Sequence, residues 1–183
     1  MKDKNMLNID NNKLEILFSS RQIQERIKEI ASQINEDYKE KKPIILGVLN
    51  GAFIFMADLV KELSIGCEID FIKLSSYGNS KISSGKVEVR ELPNLKIDGR
   101  DIIIVEDIID SGLSINFLKK IIGEKKPLSL KVASLLVKPK SLKYEIKIDY
   151  IGFEISDEFV VGYGLDYAQK YRNLPAIYSM INK

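Results

Sequence analysis

The sequence predicts an α/β protein: a central, mainly parallel sheet flanked by helices on both faces. Three observations carry this. Short apolar, β-branched runs at 44–49 and 101–105 lack in–out alternation, as strands buried on both faces do. Segments with helical apolar spacing separate such runs, and strand–helix alternation builds parallel sheets. At 183 residues the chain fills one core and is short for two, so residues 1–183 are expected to form a single domain.

The elements follow in order. Ser19 and Gln22 form a capping box, after which Ile23, Ile27, Ile30, Ile34 and Tyr38 recur at helical spacing until Lys41-Lys42-Pro43. Residues 44–49 are a buried strand. Asn50-Gly51 then turns into a second helix, with Ala52, Phe55, Met56, Leu59, Val60 and Leu63 on one face. Residues 68–75 and 86–90 alternate like two strands of a ribbon. The 76–85 segment between them is too polar for core and too long for a tight hairpin. After the strand at 101–105, Leu113, Phe117, Leu118 and Ile121 form a helical stripe that stops at Gly123 and Pro127. Residues 130–137 and 146–153 are further strands, and the tail mixes short elements around Phe159-Val160-Val161-Gly162-Tyr163. No internal repeat interrupts this order.

Composition narrows the chemistry. A formal charge of +2 supplies no global field toward nucleic acid or membrane, so neither is expected as a partner. No apolar run approaches the ~18 residues of a membrane span. Residues 1–5 lack the apolar core of a signal peptide. Cys67 is alone, which fits a reducing, cytoplasmic setting. Histidine is absent, which excludes Ser-His-Asp and Cys-His catalysis, histidine proton shuttles and HExxH zinc sites. A metal here must be held by oxygen, which favours Mg²⁺ or a similar hard cation.

One segment concentrates candidate residues. Glu106 and Asp107 arrive where the apolar strand is expected to end, Asp110 comes three residues later, and Ser111-Gly112-Leu113-Ser114 opens a helix. Adjacent side chains on a strand point to opposite faces, so both acids can serve one ligand only at its end. Carboxylates at the carboxyl edge of a parallel sheet, beside a helix N-terminus, suit a polyhydroxylated phosphate ester. The acids would take a sugar diol directly or through Mg²⁺, and residues 111–114 a monoester phosphate. Gly112 would let the backbone approach it without a Cβ clash. The structural alternative is a solvated strand end with Asp110 as helix N-cap. Asn50-Gly51 is an ordinary turn or an anion-facing one. Lys138 is a solvated strand end or projects into the same crevice. Phe159 and Tyr163 are core residues or stacking platforms.

The pattern from Val105 to Ser114 resembles the phosphoribosyl-pyrophosphate signature of type I phosphoribosyltransferases. Leu46-Gly47-Val48-Leu49-Asn50-Gly51, Ser75-Ser76-Tyr77-Gly78, Leu136-Val137-Lys138-Pro139 and Asp157 through Tyr167 with Tyr171-Arg172-Asn173-Leu174-Pro175 resemble further motifs of its hypoxanthine (hypoxanthine-guanine) branch. Ordered motifs at compatible spacing are more specific than any one of them. The resemblance implies a core at about 40–150 and a small hood from about 10–20 and 150–183.

It further implies transfer of a 5-phosphoribosyl group from phosphoribosyl pyrophosphate to N9 of a 6-oxopurine, with Mg²⁺. Asp110 would be the general base at N7, with Ser76 and Tyr77 closing over the reaction. Glu106 and Asp107 would hold the ribose hydroxyls and their metal, and Asp110, Ser111, Gly112, Leu113 and Ser114 the 5′-phosphate. Leu49, Asn50, Gly51 and Arg172 would meet pyrophosphate, and relatives often carry a non-proline cis peptide in that loop. Lys138 would donate to O6, Phe159 stack on the base, Val160 meet its edge, and Asp166 reach a second Mg²⁺ through water. Ser114 stands where many relatives carry threonine but keeps the hydroxyl. Relatives usually form homodimers or homotetramers. The rivals are a xanthine- or adenine-preferring transferase, an RNA-binding regulator on the same fold, and a non-catalytic sugar-phosphate module. Lys138 speaks against adenine, because an ammonium cannot accept from an amino group. The near-balanced charge gives no support to an RNA face.

Overall fold

A computed structural model describes residues 6–9, 12–76, 87–91 and 96–181. In chain order these form β1 (Met6–Ile9), β2 (Asn12–Phe18), α1 (Ser20–Asp37), β3 (Ile44–Leu49), α2 (Phe53–Glu62), β4 (Glu68–Ser76) and β5 (Val87–Glu91). Then come β6 (Asp101–Ile109), α3 (Leu113–Gly123), β7 (Ser129–Val137), β8 (Tyr150–Glu154), β9 (Val160–Val161) and β10 (Ile177–Ile181). The main sheet has six strands in the order β5-β4-β3-β6-β7-β8. All neighbours in it pair in parallel except β5, which runs antiparallel to β4. Both ends of the chain build a second, antiparallel sheet in the order β1-β2-β10-β9.

Local chemistry accounts for these elements. The Ser19 hydroxyl accepts from the Gln22 N–H while the Gln22 side chain accepts from the Ser19 N–H, so the predicted capping box starts α1. Ile23, Ile27, Ile30 and Ile34 are fully buried along one stripe of that helix, each worth ~1.5–3 kcal/mol of apolar transfer. Along β6 the side chains alternate between two cores. Ile103 and Val105 join α1 and α2 on one face, and Ile102 and Ile104 join α3 on the other. Arg26 of α1 donates to the Ile151 and Gly152 carbonyls at 2.6 and 2.8 Å, tying that helix to β8.

Two expectations need correction. The strand expected from 146 begins at Tyr150, because the Asp149 carboxylate accepts from the Val132 N–H at 3.0 Å and replaces a ladder partner. Ile146 and Ile148 turn instead into the core beneath α3. On α3 the buried stripe is Ile115, Leu118 and Ile122; Leu113, Phe117 and Ile121 are half-buried. The apolar residues wrap far enough around this helix for either phase to look helical.

The strand order sets the site. The chain crosses from β3 through α2 to β4 in one direction, and from β6 through α3 to β7 in the other. The carboxyl ends of β3 and β6 therefore flank a topological switch point, where open α/β sheets bind ligands.

Candidate active site

The ladder between β3 and β6 ends at Gly47↔Val105, while the ladder between β6 and β7 runs on to Ile109↔Val137. Glu106 and Asp107 thus lie within β6, not beyond its end as the sequence suggests. They are nevertheless reachable, because β3 has dropped away on one side. Alternation sends Glu106 toward the α3 face and Asp107 toward the α1–α2 face.

Each acid is 9% exposed, and Glu106 Oε2 is buried without a hydrogen-bond partner. Burial, reinforced by the adjacent Asp107 charge, pushes the Glu106 carboxyl well above its ordinary range. Burial also raises Asp107, although Glu106, the Ile108 N–H and Arg172 pull in the other direction. Ile108 N donates to Asp107 Oδ1 at 2.9 Å. The Asn50-Gly51 turn packs directly on this carboxylate: a Cβ on Gly51 would stand 1.7 Å from Asp107 Oδ2. The Leu49–Asn50 peptide bond is cis.

Past Ile109 the chain turns through Asp110, Ser111 and Gly112. Gly112 is the N-cap of α3, with φ +79°, so Asp110 is not the cap. The glycine serves the left-handed backbone first, and its missing Cβ also leaves room for Ile146 Cδ1, which a Cβ would approach to 2.5 Å. Gly112 has no side chain to cap from this position, and the neighbouring Ser111 Oγ accepts from the Leu113 N–H at 3.4 Å. Glu106, Ile108, Ile109, Asp110 and residues 111–115 line a cavity of about 110 Å³.

A second cavity, of about 230 Å³, adjoins it and shares Ile108 and Asp110; Asp107, Lys138, Phe159, Val160, Leu165 and Asp166 complete its lining. Lys138 is buried, and its Nζ lies 3.2 Å from Asp110 Oδ2 and 3.5 Å from Asp157 Oδ1. Phe159 is 48% exposed and meets Tyr167 edge-on at 5.7 Å, so it is no core residue. Tyr163 is core, at 4% exposure. Asp166 pairs with Arg172 Nη2 at 2.7 Å and accepts from the Gln169 N–H at 2.8 Å. A larger depression, of about 670 Å³ at the ends of α1 and α2, contains none of the candidate residues.

The structure brings together most of the expected residues and separates some. Asp107 and Asp166 line one cavity and Glu106 the other, and among the described residues no three acidic, cysteine or histidine side chains form a metal cluster. Ser76 ends β4, and Tyr77 with the rest of the 76–85 segment lies outside the described residues. Asp157 was not anticipated beside Lys138, nor was the packing of the Gly162–Gly164 turn against Gly51. A short Gly-x-Gly sequence was the one signal for the latter.

Known proteins share this architecture and its sequence. The phosphoribosyl transferase domain family matches residues 14–168. A hypoxanthine-guanine phosphoribosyltransferase from Bacillus subtilis is 48% identical over 162 residues, 88% of this chain and 90% of that protein. The crystal structure of a hypoxanthine-guanine phosphoribosyltransferase from Bacillus anthracis superposes with a TM-score of 0.87 at 46% identity, covering 91% of this chain and 98% of that one. A hypoxanthine phosphoribosyltransferase from Staphylococcus aureus gives the same TM-score at 38% identity, with 91% of each chain covered. With its switch-point crevice, its buried acid pair and a match running through most of its length, the chain belongs to the phosphoribosyltransferase family.

Proposed function

We propose that this protein transfers the 5-phosphoribosyl group of phosphoribosyl pyrophosphate to N9 of hypoxanthine, and of guanine, releasing pyrophosphate. One observation carries the reading: two adjoining cavities share Asp110, one lined by the 111–115 turn and the other by Lys138 and Phe159. A nucleotide has that shape, with phosphate on one side and base on the other.

The residues then have distinct tasks. Asp110 through Ser114 cradle the 5′-phosphate with backbone amides and hydroxyls. Glu106 and Asp107 orient the ribose hydroxyls. The orphaned Glu106 Oε2 supports this, because a buried oxygen without a partner suits a cation or hydroxyl donor. Glu106 and Asp107 would help hold Mg²⁺ there, which would supply charge neutralisation for the departing pyrophosphate. Asp166 would help hold a second Mg²⁺ through water. Leu49, Asn50, Gly51 and Arg172 bind the pyrophosphate.

On the base side, Lys138 donates to O6, Phe159 stacks and the Val160 carbonyl reads the edge. Asp110, ion-paired with Lys138, takes the proton from N7 as N9 attacks. Ser76 and Tyr77 close over the reaction and exclude water.

The domain reading is one catalytic unit, 1–183, with the core at about 40–150 and a hood from about 10–20 and 150–183. Phe53, Ile69 and Phe71 are 41–48% exposed on α2 and β4 and fit burial in a homodimer or homotetramer. No described helix is long and apolar enough to cross a membrane, and the free Cys67 suits the cytoplasm.

Steady-state pyrophosphate release with hypoxanthine, guanine, xanthine and adenine, at fixed phosphoribosyl pyrophosphate and Mg²⁺, tests the reading. Turnover with the first two, far above adenine, is expected. Turnover with none of the four overturns it.

A further inference from the structure

Tyr163 occupies a backbone conformation that its side chain does not favour. Residues 162, 163 and 164 have φ of +95°, +51° and +99°. Glycine and asparagine adopt this left-handed region far more readily than an aromatic. What the aromatic adds is a reach. The Tyr163 hydroxyl donates to Asp58 Oδ2 of α2 at 2.5 Å. Gln24 of α1 donates to the same oxygen at 2.8 Å, and Lys61 pairs with the other at 2.6 Å. One carboxylate thereby joins both helices to the turn. Burial, and then Asp58 itself, push the hydroxyl far above its ordinary value, so it remains a donor.

The next residue shows what this tie holds. Gly164 exchanges hydrogen bonds with Arg172: its N–H donates to the Arg172 carbonyl at 3.0 Å and its carbonyl accepts from Arg172 Nη1 at 2.7 Å. Its α-carbon presses on the Asn50-Gly51 turn so closely that a Cβ would stand 2.2 Å from the Gly51 carbonyl oxygen. Gly51 rests on Asp107 in turn. Asp58 belongs to α2, the helix this turn opens, so the Tyr163–Asp58 bond pinches Gly51 between α2 and the Gly162–Gly164 turn. Val160 and Val161, by contrast, are held separately by pairing with β10.

We propose that Tyr163 is a positioning residue: through Asp58, its hydroxyl sets how closely the 162–164 turn clamps the pyrophosphate loop. It acts on the diphosphate end of the substrate and not on the base end. This inference rests on the phosphoribosyltransfer reading above.

The test is a split between Michaelis constants, measured in both reaction directions. For Tyr163→Phe we expect KM for phosphoribosyl pyrophosphate, and for pyrophosphate in reverse, to rise about tenfold, with KM for hypoxanthine within about twofold. Asp58→Ala should give the same split, so a misfolded Tyr163→Phe does not remove the test. The double variant should be no worse than Asp58→Ala alone, and Asp58→Asn, which keeps an acceptor, should recover most of the loss. Lys61→Met, which removes only the exposed arm of the cluster, should leave all constants at wild-type values.

Unchanged constants for the diphosphate substrates, an equal rise for hypoxanthine, or additive effects in the double variant overturn the proposal. A wild type without turnover overturns the functional reading instead. Calorimetric titration with pyrophosphate then still decides the tie: weaker binding to Tyr163→Phe supports it, and equal binding refutes it.

Discussion

The two ends of β6 bury acids to the same degree and treat them in opposite ways. At the amino end Asp101, 9% exposed, accepts a hydrogen bond from Ser129 Oγ at 2.5 Å. Around it, Asp37 is met by Lys131 at 2.8 Å and by the Tyr150 hydroxyl at 2.6 Å, and Asp149 accepts from Lys147 at 3.0 Å. At the carboxyl end Glu106 and Asp107 are equally buried, stand side by side, and leave one oxygen with no partner. The consequences for protonation diverge too. Hydrogen bonds from Lys131 and then Tyr150 hold the Asp37 carboxyl below its ordinary range, whereas burial drives Glu106 above it. Burial alone therefore does not mark a site. A buried acid with an unpartnered oxygen does, because folding gains nothing from leaving a buried carboxylate oxygen unpaired; the buried Tyr38 hydroxyl near the amino end also lacks a partner but carries no charge.

The largest effect expected from this contrast is on catalysis. Asp110→Asn keeps the shape of the side chain but removes the carboxylate proposed to take the N7 proton. Its kcat should fall ~10²–10⁴-fold, with KM for phosphoribosyl pyrophosphate little changed. A loss below about tenfold would move the base role elsewhere in the pocket.

The second effect compares the two ends directly through stability. Glu106→Gln removes a buried acid that has one unpartnered oxygen and an acidic neighbour, and should stabilise the ligand-free protein by ~1–3 kcal/mol while lowering activity. Ser129→Ala does the reverse at the other end. It orphans Asp101, costs ~1–3 kcal/mol and leaves kcat intact. Denaturant unfolding and pyrophosphate-release assays on the same pair of variants measure both. Shifts of the same sign would break the distinction between the two ends.

Much of this was legible in the sequence, for a physical reason. Strands covered on both faces must be apolar at every position, so 44–49 and 101–105 announce themselves, and the isoleucine stripe of α1 follows its capping box. The site was legible where it is contiguous: Glu106 through Ser114 is one strand end and one turn. What remained hidden depends on distant pairings. Asp149 replaces a ladder bond to Val132, so β8 starts later than its apolar pattern suggests. The acids lie inside β6 because pairing with β7 runs on after pairing with β3 has stopped, which β6's own residues cannot reveal. Tyr163 and Asp58 are 105 residues apart, and neither signals the other.

The smallest effect tests the satisfied end by pH. Asp37 has a lowered folded pKa, so the stability it contributes is fully present above its unfolded value of 3.8 and is lost as pH falls through the folded value. Its side chain is 43% exposed and Lys131 is 30% exposed, so solvent screens the pair and the contribution is at most ~1 kcal/mol. Asp37→Asn should therefore unfold at slightly lower denaturant than wild type near neutral pH, with the gap closing as the solution is acidified below ~pH 4. Activity at neutral pH should be unaffected, because Asp37 sits at the far edge of the sheet from both cavities. A gap that widened in acid would mean that the Asp37 pair is not the source of its stabilisation. The contrast with Glu106 would then have to rest on Asp101 and Ser129 alone.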